Sequence, residues 1–252
     1  METVKKVQRK ISMKVITLLL SLMLILGMGA CKQNSSMPEV KTISAMKKVM
    51  MGKDLSAHLQ WDTIPREHLF AIAPLGRIQG EVTAVDGQLY SSTVDASNHV
   101  VISKNWDIQS PFAVYANVPE WTTFEVDEAI NSEDELQTLI EEVASKNGYD
   151  LNTAFPYRVL GKFSSIDYHI ISKPLNEVEH NHELHSKAKK HFHLENTSGE
   201  LLGFYSTNHQ GVFTHKGHFI HTHFIDEQRE NMGHLENLIT TNKIKILLPK
   251  IK

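Results

Sequence analysis

Apolar and polar positions along this chain alternate in short runs far more often than they recur at helical spacing. Alternation puts successive side chains on opposite faces of an extended backbone, so a mostly β fold is predicted. The stretch HLFAIAPLGRIQGEVTAVDGQLYSSTV, from His68 to Val94, has β-rich runs on both sides of Asp86-Gly87, a dipeptide suited to a two-residue type I′ turn. A hairpin is predicted there, with Glu81 on its first strand. Further strand-like runs cover Ser110 to Val118, Tyr157 to Leu160, Phe163 to Ile171, Phe192 to Glu195, Leu201 to Tyr205 and Phe219 to Ile225, and NKIKILLPKIK closes the sequence as a last strand.

Helical spacing occurs in two places. Between Lys41 and Met51, the positions Ile43, Met46, Val49 and Met50 predict a short helix. From Ser132 to Asn147 the signal is stronger: Ser132 and Glu135 form a capping-box pattern, Leu136, Leu139, Ile140 and Val143 make one apolar face, and Gly148 supplies the stop. The expected class is therefore α+β, mostly β, with two mixed-sheet halves and one prominent helix. With 252 residues, 41% of them hydrophobic, the chain can bury a real core.

The N-terminal segment reads differently. MKVITLLLSLMLILGMGACKQ, starting at Met13, carries an apolar run from Val15 to Leu26, shorter than the roughly 20 residues a spanning helix needs. It fits the core of a signal peptide, with Met13 a candidate for the true start. Gly29-Ala30-Cys31 resembles the lipobox of bacterial lipoproteins, which implies that Cys31 becomes the lipidated first residue of the mature protein. Residues 1–31 are then the signal peptide, 32–40 a polar tether and 41–252 the folded domain, anchored at the bacterial cell envelope on the periplasmic or outer-membrane face. Cys31 is the sole cysteine, so once it is acylated neither a disulfide nor a thiolate metal ligand is available. A formal net charge of -3 gives no basic excess for binding a phosphate backbone, and nucleic acid is excluded as a partner on that ground.

Fifteen histidines are many for this length, and most lie between His169 and His234. In FIHTHFI the pleat aims His221 and His223 the same way, ~7 Å apart along the strand. The polar DEQRENMG then permits a reversal, with Gly233 offering unusual backbone angles, and His234 can return beside the pair. Three neutral imidazoles with coordination positions left over describe a catalytic zinc site, with surface or core histidines spaced by chance and a different metal fold as the competing explanations. The run His180, His182, His185, His191 and His193 reads as a solvated, flexible segment, with a second, loose metal tract as the alternative.

GEVTAVDGQLY, YRVLGKF, FHLENTSGELLGFYS and IHTHFIDEQRENMGHLENL follow one another as blocks that resemble those of the bacterial α-acetolactate decarboxylase family. The resemblance covers most of the chain after residue 41. It implies Zn²⁺ held by His221, His223 and His234, a catalytic Glu81, a small-molecule 2-hydroxy-3-keto acid as substrate and a homodimer. It also implies the chemistry: loss of CO₂ from acetolactate, with zinc as electron sink and Glu81 as proton donor to give acetoin. Two positions depart from the pattern. Where the family carries an arginine suited to the substrate carboxylate, this sequence has His169, with Arg158 upstream as a stand-in. The family's second catalytic acid lies beyond the last Leu-Pro and is expected to be missing, leaving Glu195, Asp226 or Glu227 as substitutes. Two other readings of the same residues are a cupin-like metalloenzyme, which would use Glu227 as a ligand, and a histidine-rich metal-binding lipoprotein without catalysis.

Overall fold

The computed structural model describes residues 37–241 and 243–251, and among these described residues fourteen strands and three α-helices follow one another. The signal segment, Cys31 and residues 32–36 of the tether lie outside the described residues. In chain order the elements are β1 (Lys41–Ile43), α1 (Met46–Met50), β2 (Leu59–Gln60), β3 (Leu69–Pro74), β4 (Glu81–Val85), β5 (Gln88–Val94), β6 (Val100–Ser103), β7 (Gln109–Ser110), β8 (Ala113–Asn117) and β9 (Trp121–Val126). They continue with α2 (Glu133–Lys146), β10 (Phe155–Ile171), α3 (His182–Lys187), β11 (Lys189–Tyr205), β12 (Ile220–Asp226), β13 (Met232–Ile239) and β14 (Ile244–Pro249).

The strands form one six-stranded sheet in the order β1-β8-β3-β4-β5-β6, a second in the order β11-β12-β13-β10-β14-β9, and a short β2-β7 ladder. Because β10 also pairs with β11, strands β10 to β13 close on themselves. The α+β, mostly β class with two sheets and one prominent helix is as expected, but the sheets are antiparallel rather than mixed. The short connections β3–β4, β4–β5, β5–β6 and β12–β13 permit only antiparallel pairing, whereas parallel pairs need long crossovers.

The β4–β5 turn is as predicted: Asp86 (φ 45°) and Gly87 (φ 77°) both adopt the left-handed region that a type I′ turn demands. At α2, Ser132 accepts a hydrogen bond from the Glu135 backbone N–H at 3.2 Å, and Glu135 Oε2 accepts from the Asn131 N–H at 2.8 Å. Leu136, Ile140 and Ala144 bury this helix in a core shared with Phe155, Val159, Leu235 and Ile246 of the second sheet. The two sheets meet through a second core, in which Phe70, Ile72 and Val114 pack with Leu202, Phe204 and Met232.

Three expectations change. Lys41–Ile43 is an edge strand on β8 rather than the start of a helix, because Ser44 (φ 57°) breaks the path and leaves only Met46–Met50 helical. The runs read as separate strands around Phe163 and Phe192 are continuous 17-residue strands, paired to each other from Phe155↔Tyr205 to Ile171↔Lys189. The segment expected to be solvated and flexible is solvated but helical: it contains α3, none of whose residues is buried, with its first turn capped by Asn181 accepting from the Leu184 N–H at 3.0 Å.

Candidate metal centre

Strand β12 buries His221 and His223 on one face, and the β12–β13 ladder sets His234 directly opposite His223. Gly233 contributes by its lack of a side chain rather than by its backbone angles. A Cβ there would lie 2.5 Å from the His169 carbonyl oxygen and 2.6 Å from the Tyr168 ring, so only glycine lets β13 lie this close to β10. The left-handed residue of the preceding reversal is Arg229, at φ 62°.

The three imidazoles converge. One ring nitrogen from each lies within 4.8 Å of the others, and His221 Nε2 stands 3.0 Å from His234 Nδ1. Burial holds all three neutral: it pushes His221 down to about 3 and His223 and His234 well below the ordinary imidazole value, with repulsion from neighbouring histidines, His169 among them for all three, adding to the shift. Neutral imidazole is the form that ligates a metal, so no proton has to leave at neutral pH.

Strand β4 reaches the cluster from the first sheet. Thr83 Oγ1 lies 2.9 Å from His223 Nδ1, a contact that fixes the ring's orientation and leaves Nε2 free for a ligand. Glu81, two residues earlier and on the same strand face, places Oε2 3.8 Å from His223 Nε2 and accepts the Ile171 backbone N–H on Oε1 at 3.1 Å. Burial raises its carboxyl to about 8 against that hydrogen bond, so Glu81 is protonated at neutral pH. On β10, the His169 ring centre is 4.6 Å from that of His234, and its Nδ1 is 2.7 Å from Glu236 Oε1. Burial lowers His169 to about 4, while the contacts with His169 and Lys189, the latter at 2.8 Å, hold the Glu236 carboxyl down to about 2.

Two cavities meet at the triad. A small inner one of about 50 Å³ is lined by Glu81, Phe112, His169, His185 and Lys189, and a large outer one of about 640 Å³ by Lys47, Glu133, His182, His218 and Ile220. His215, His221 and His234 line both.

The structure thus brings together Glu81, His169, His221, His223 and His234. It does not bring Arg158 to them. That guanidinium makes a two-pronged pair with Glu200 at 2.6 and 3.1 Å and packs over Phe70 and Trp121. Nor do the substitute acids arrive. Glu195 faces solvent beside His193, Asp226 secures the β12–β13 reversal through Glu230 N and Asn231 Nδ2, and Glu227 lines a separate shallow pocket with Gly199 and Arg229. A cupin-like ligand role for Glu227 fails on the same ground.

Sequence reasoning missed Thr83, Glu236, Lys189, His185, His215 and Glu133. Thr83 and Glu236 carried a usable signal, since each stands two residues from a predicted site residue and strand period two puts it on the same face. Lys189 and His185 belong to the segment expected to be solvated, where no local pattern marks them. Among the described residues, the triad is the one group of three or more histidine, cysteine, aspartate or glutamate side chains that could share an ion, so the His180–His193 run forms no second such group.

The donor set fits a metal. All three donors are neutral nitrogens, thiolates are absent from the cluster, and an imidazole trio suits a borderline ion such as zinc with positions left open. Fold and site together define a class: two antiparallel sheets carrying a three-histidine, metal-competent centre at the wall of a cavity.

The comparisons narrow that class. The family model for alpha-acetolactate decarboxylase matches residues 42–252. The alpha-acetolactate decarboxylase of Bacillus subtilis strain 168 is 22% identical over 205 residues, covering 81% of this chain and 75% of that protein. Its crystal structure superposes with a TM-score of 0.68 at 19% identity, covering 84% of this chain and 86% of that one. A Staphylococcus aureus protein of unknown function, described as similar to alpha-acetolactate decarboxylase, superposes with a TM-score of 0.64 at 17% identity over 83% of this chain and 84% of its own. The chain belongs to the alpha-acetolactate decarboxylase family and is a carboxy-lyase.

Proposed function

We propose that this chain decarboxylates 2-acetolactate, or a closely related 2-hydroxy-3-keto acid, with a zinc ion held by His221, His223 and His234. The observation that carries the reading is the convergence of three neutral imidazoles beside a buried, protonated carboxyl, Glu81. Zinc, when bound, supplies Lewis acidity towards the hydroxyl and ketone oxygens of the substrate.

The chain's own residues do the rest. Loss of CO₂ leaves an electron pair that flows into the neighbouring ketone, and the carbon that carried the carboxylate then needs a proton. Glu81 holds one at neutral pH, and its fixed bond from Ile171 N–H aims the other oxygen at the triad. His169 is neutral and its one N–H is taken by the ionised Glu236 carboxylate, so it offers the substrate carboxylate neither a donor nor a charge; the cation on the inner cavity wall is Lys189. Apolar walls from Met46, Met50 and Phe112 limit the water that could compete for the proton.

The test is to purify the full chain, count zinc, and measure CO₂ and acetoin release from racemic acetolactate, with His223→Ala as control. Stoichiometric zinc with no turnover would sink the decarboxylase reading while keeping the metal site. Envelope anchoring through Cys31 is a separate proposal, resting on the signal-like segment and its lipobox resemblance; Cys31→Ser should release the chain from membranes and abolish labelling by a fatty-acid probe. A homodimer, implied by the family, is checked by sedimentation equilibrium.

A further inference from the structure

The two cavities differ in what they can hold. The inner one, at about 50 Å³, has room for about one or two waters at ~30 Å³ each. The outer one, at about 640 Å³, falls within the roughly 300–1,000 Å³ of small-molecule sites and opens to solvent. The body of an organic acid reaching the triad therefore sits in the outer cavity, and the inner one, walled by Glu81 and Lys189, has room for no more than its carboxylate. Glu81 lines the inner cavity; the carboxyl that lines the outer one with His221 and His234 is Glu133.

Glu133 is the first residue of α2, and an acid at a helix start is commonplace because the N-terminal N–H groups favour negative charge. Its two neighbours behave in that ordinary way. Glu135 closes the cap on Asn131, and exposed Asp134 lies 3.5 Å from His218. Glu133 instead turns into the cavity, and among the described residues no hydrogen bond or ion pair reaches its carboxyl. Glu133 is only partly buried, and among the described residues no partner on α2 or its neighbours draws its carboxyl to the cavity wall. Burial, followed by repulsion from Asp134 and Glu236, raises it to about 8.

We propose that Glu133 is a catalytic residue of this chain, the carboxyl that faces the ketone oxygen of a 2-hydroxy-3-keto acid bound in the outer cavity. This rests on the decarboxylase reading above. As the bond to the departing carboxylate breaks and its electron pair enters the adjacent carbonyl, Glu133 gives its proton to that oxygen. It takes the proton back as Glu81 protonates the neighbouring carbon and the ketone reforms. The net proton comes from Glu81, which water restores, and no oxidant or reductant is needed.

The test uses the full chain, zinc-loaded, with Glu133→Gln and, as a control for charge at the helix start, Asp134→Asn. Glu133→Gln should lower kcat about 100-fold, the scale of losing one oxyanion partner, with little change in KM or thermal midpoint, while Asp134→Asn keeps wild-type kcat. An unchanged kcat in Glu133→Gln, or an equal fall in Asp134→Asn, overturns the assignment. A second arm does not depend on turnover. Infrared difference spectra of wild type minus Glu133→Gln should show a protonated carboxyl at neutral pH whose band shifts when acetoin is added. If wild type releases no CO₂ from acetolactate, the decarboxylase reading fails by itself. The acetoin-induced shift then still places Glu133 against a hydroxyketone, and a band that acetoin leaves unmoved removes it from the site.

Discussion

Thr83 and His223 sit on different sheets, 140 residues apart in sequence, yet their side chains meet at 2.9 Å with both residues buried. Replacing Thr83 by valine keeps the volume and the β-branched shape but removes the hydroxyl. The loss has two separable parts. In the metal-free chain, a buried imidazole nitrogen is left unpaired, which costs about 1–3 kcal/mol of folding stability. In the metal-bound chain, the ring loses the contact that fixes its tautomer and direction, an outer-shell loss that typically weakens metal affinity about 10–100-fold. Tenfold is about 1.4 kcal/mol, so the metal-bound chain should fall in stability by about 1.4–2.8 kcal/mol more than the metal-free chain does. Zinc competition against a chromophoric chelator measures the affinity, and thermal unfolding with and without zinc measures both stabilities. Equal destabilisation of the two forms, with zinc affinity unchanged, would mean that Thr83 only fills space, and the claim that β4 orients a ligand would be wrong.

Two other substitutions separate the site from the scaffold. Glu81→Gln should reduce kcat by about 10²–10⁴, the usual contribution of a positioned acid. In zinc-loaded wild type, activity should fall as rising pH removes the proton Glu81 donates, at a pH below the metal-free value of about 8 because a nearby dication favours the carboxylate. The same ionisation affects stability: the folded chain keeps that proton from the ordinary carboxyl value of 4.5 up to about 8 while the unfolded chain has lost it, so rising pH destabilises metal-free wild type across that window. Glu81→Gln should flatten that part of the profile, and an unchanged slope in urea titrations would contradict the assigned burial. Arg158→Gln leaves Glu200, 5% exposed at its side chain, with only the longer Arg229 contact at 3.9 Å and should cost stability, by less than the roughly 3–5 kcal/mol of a wholly unpaired buried charge. Zinc affinity and KM of the folded fraction should stay at wild-type values, and a large rise in KM would restore Arg158 to substrate binding.

Much of this arrangement was legible in the residues because strand periodicity is local information. The pleat alone put His221 beside His223, Asp86-Gly87 marked its turn, and Ser132 with Glu135 marked the start of α2. Arg158 shows where such reasoning ends. Proximity in sequence to the FSSIDYHII segment suggested a role, but β10 is long enough that Arg158 pairs at the β14 side while His169 pairs at β13. Gly233 was singled out for the wrong property, since close approach between strands cannot be read from a turn-like sequence. Lys189, His185 and Glu133 reach the site only through the closure of β10 on β11 and the docking of α2, contacts that no local pattern encodes.

The most direct measurement is the metal content of the full chain by inductively coupled plasma mass spectrometry after dialysis against zinc. One zinc per chain, lost in His223→Ala and in His234→Ala but kept in His193→Ala, is the predicted result. Zinc no higher in wild type than in His223→Ala would show that these three imidazoles, for all their convergence, do not share an ion.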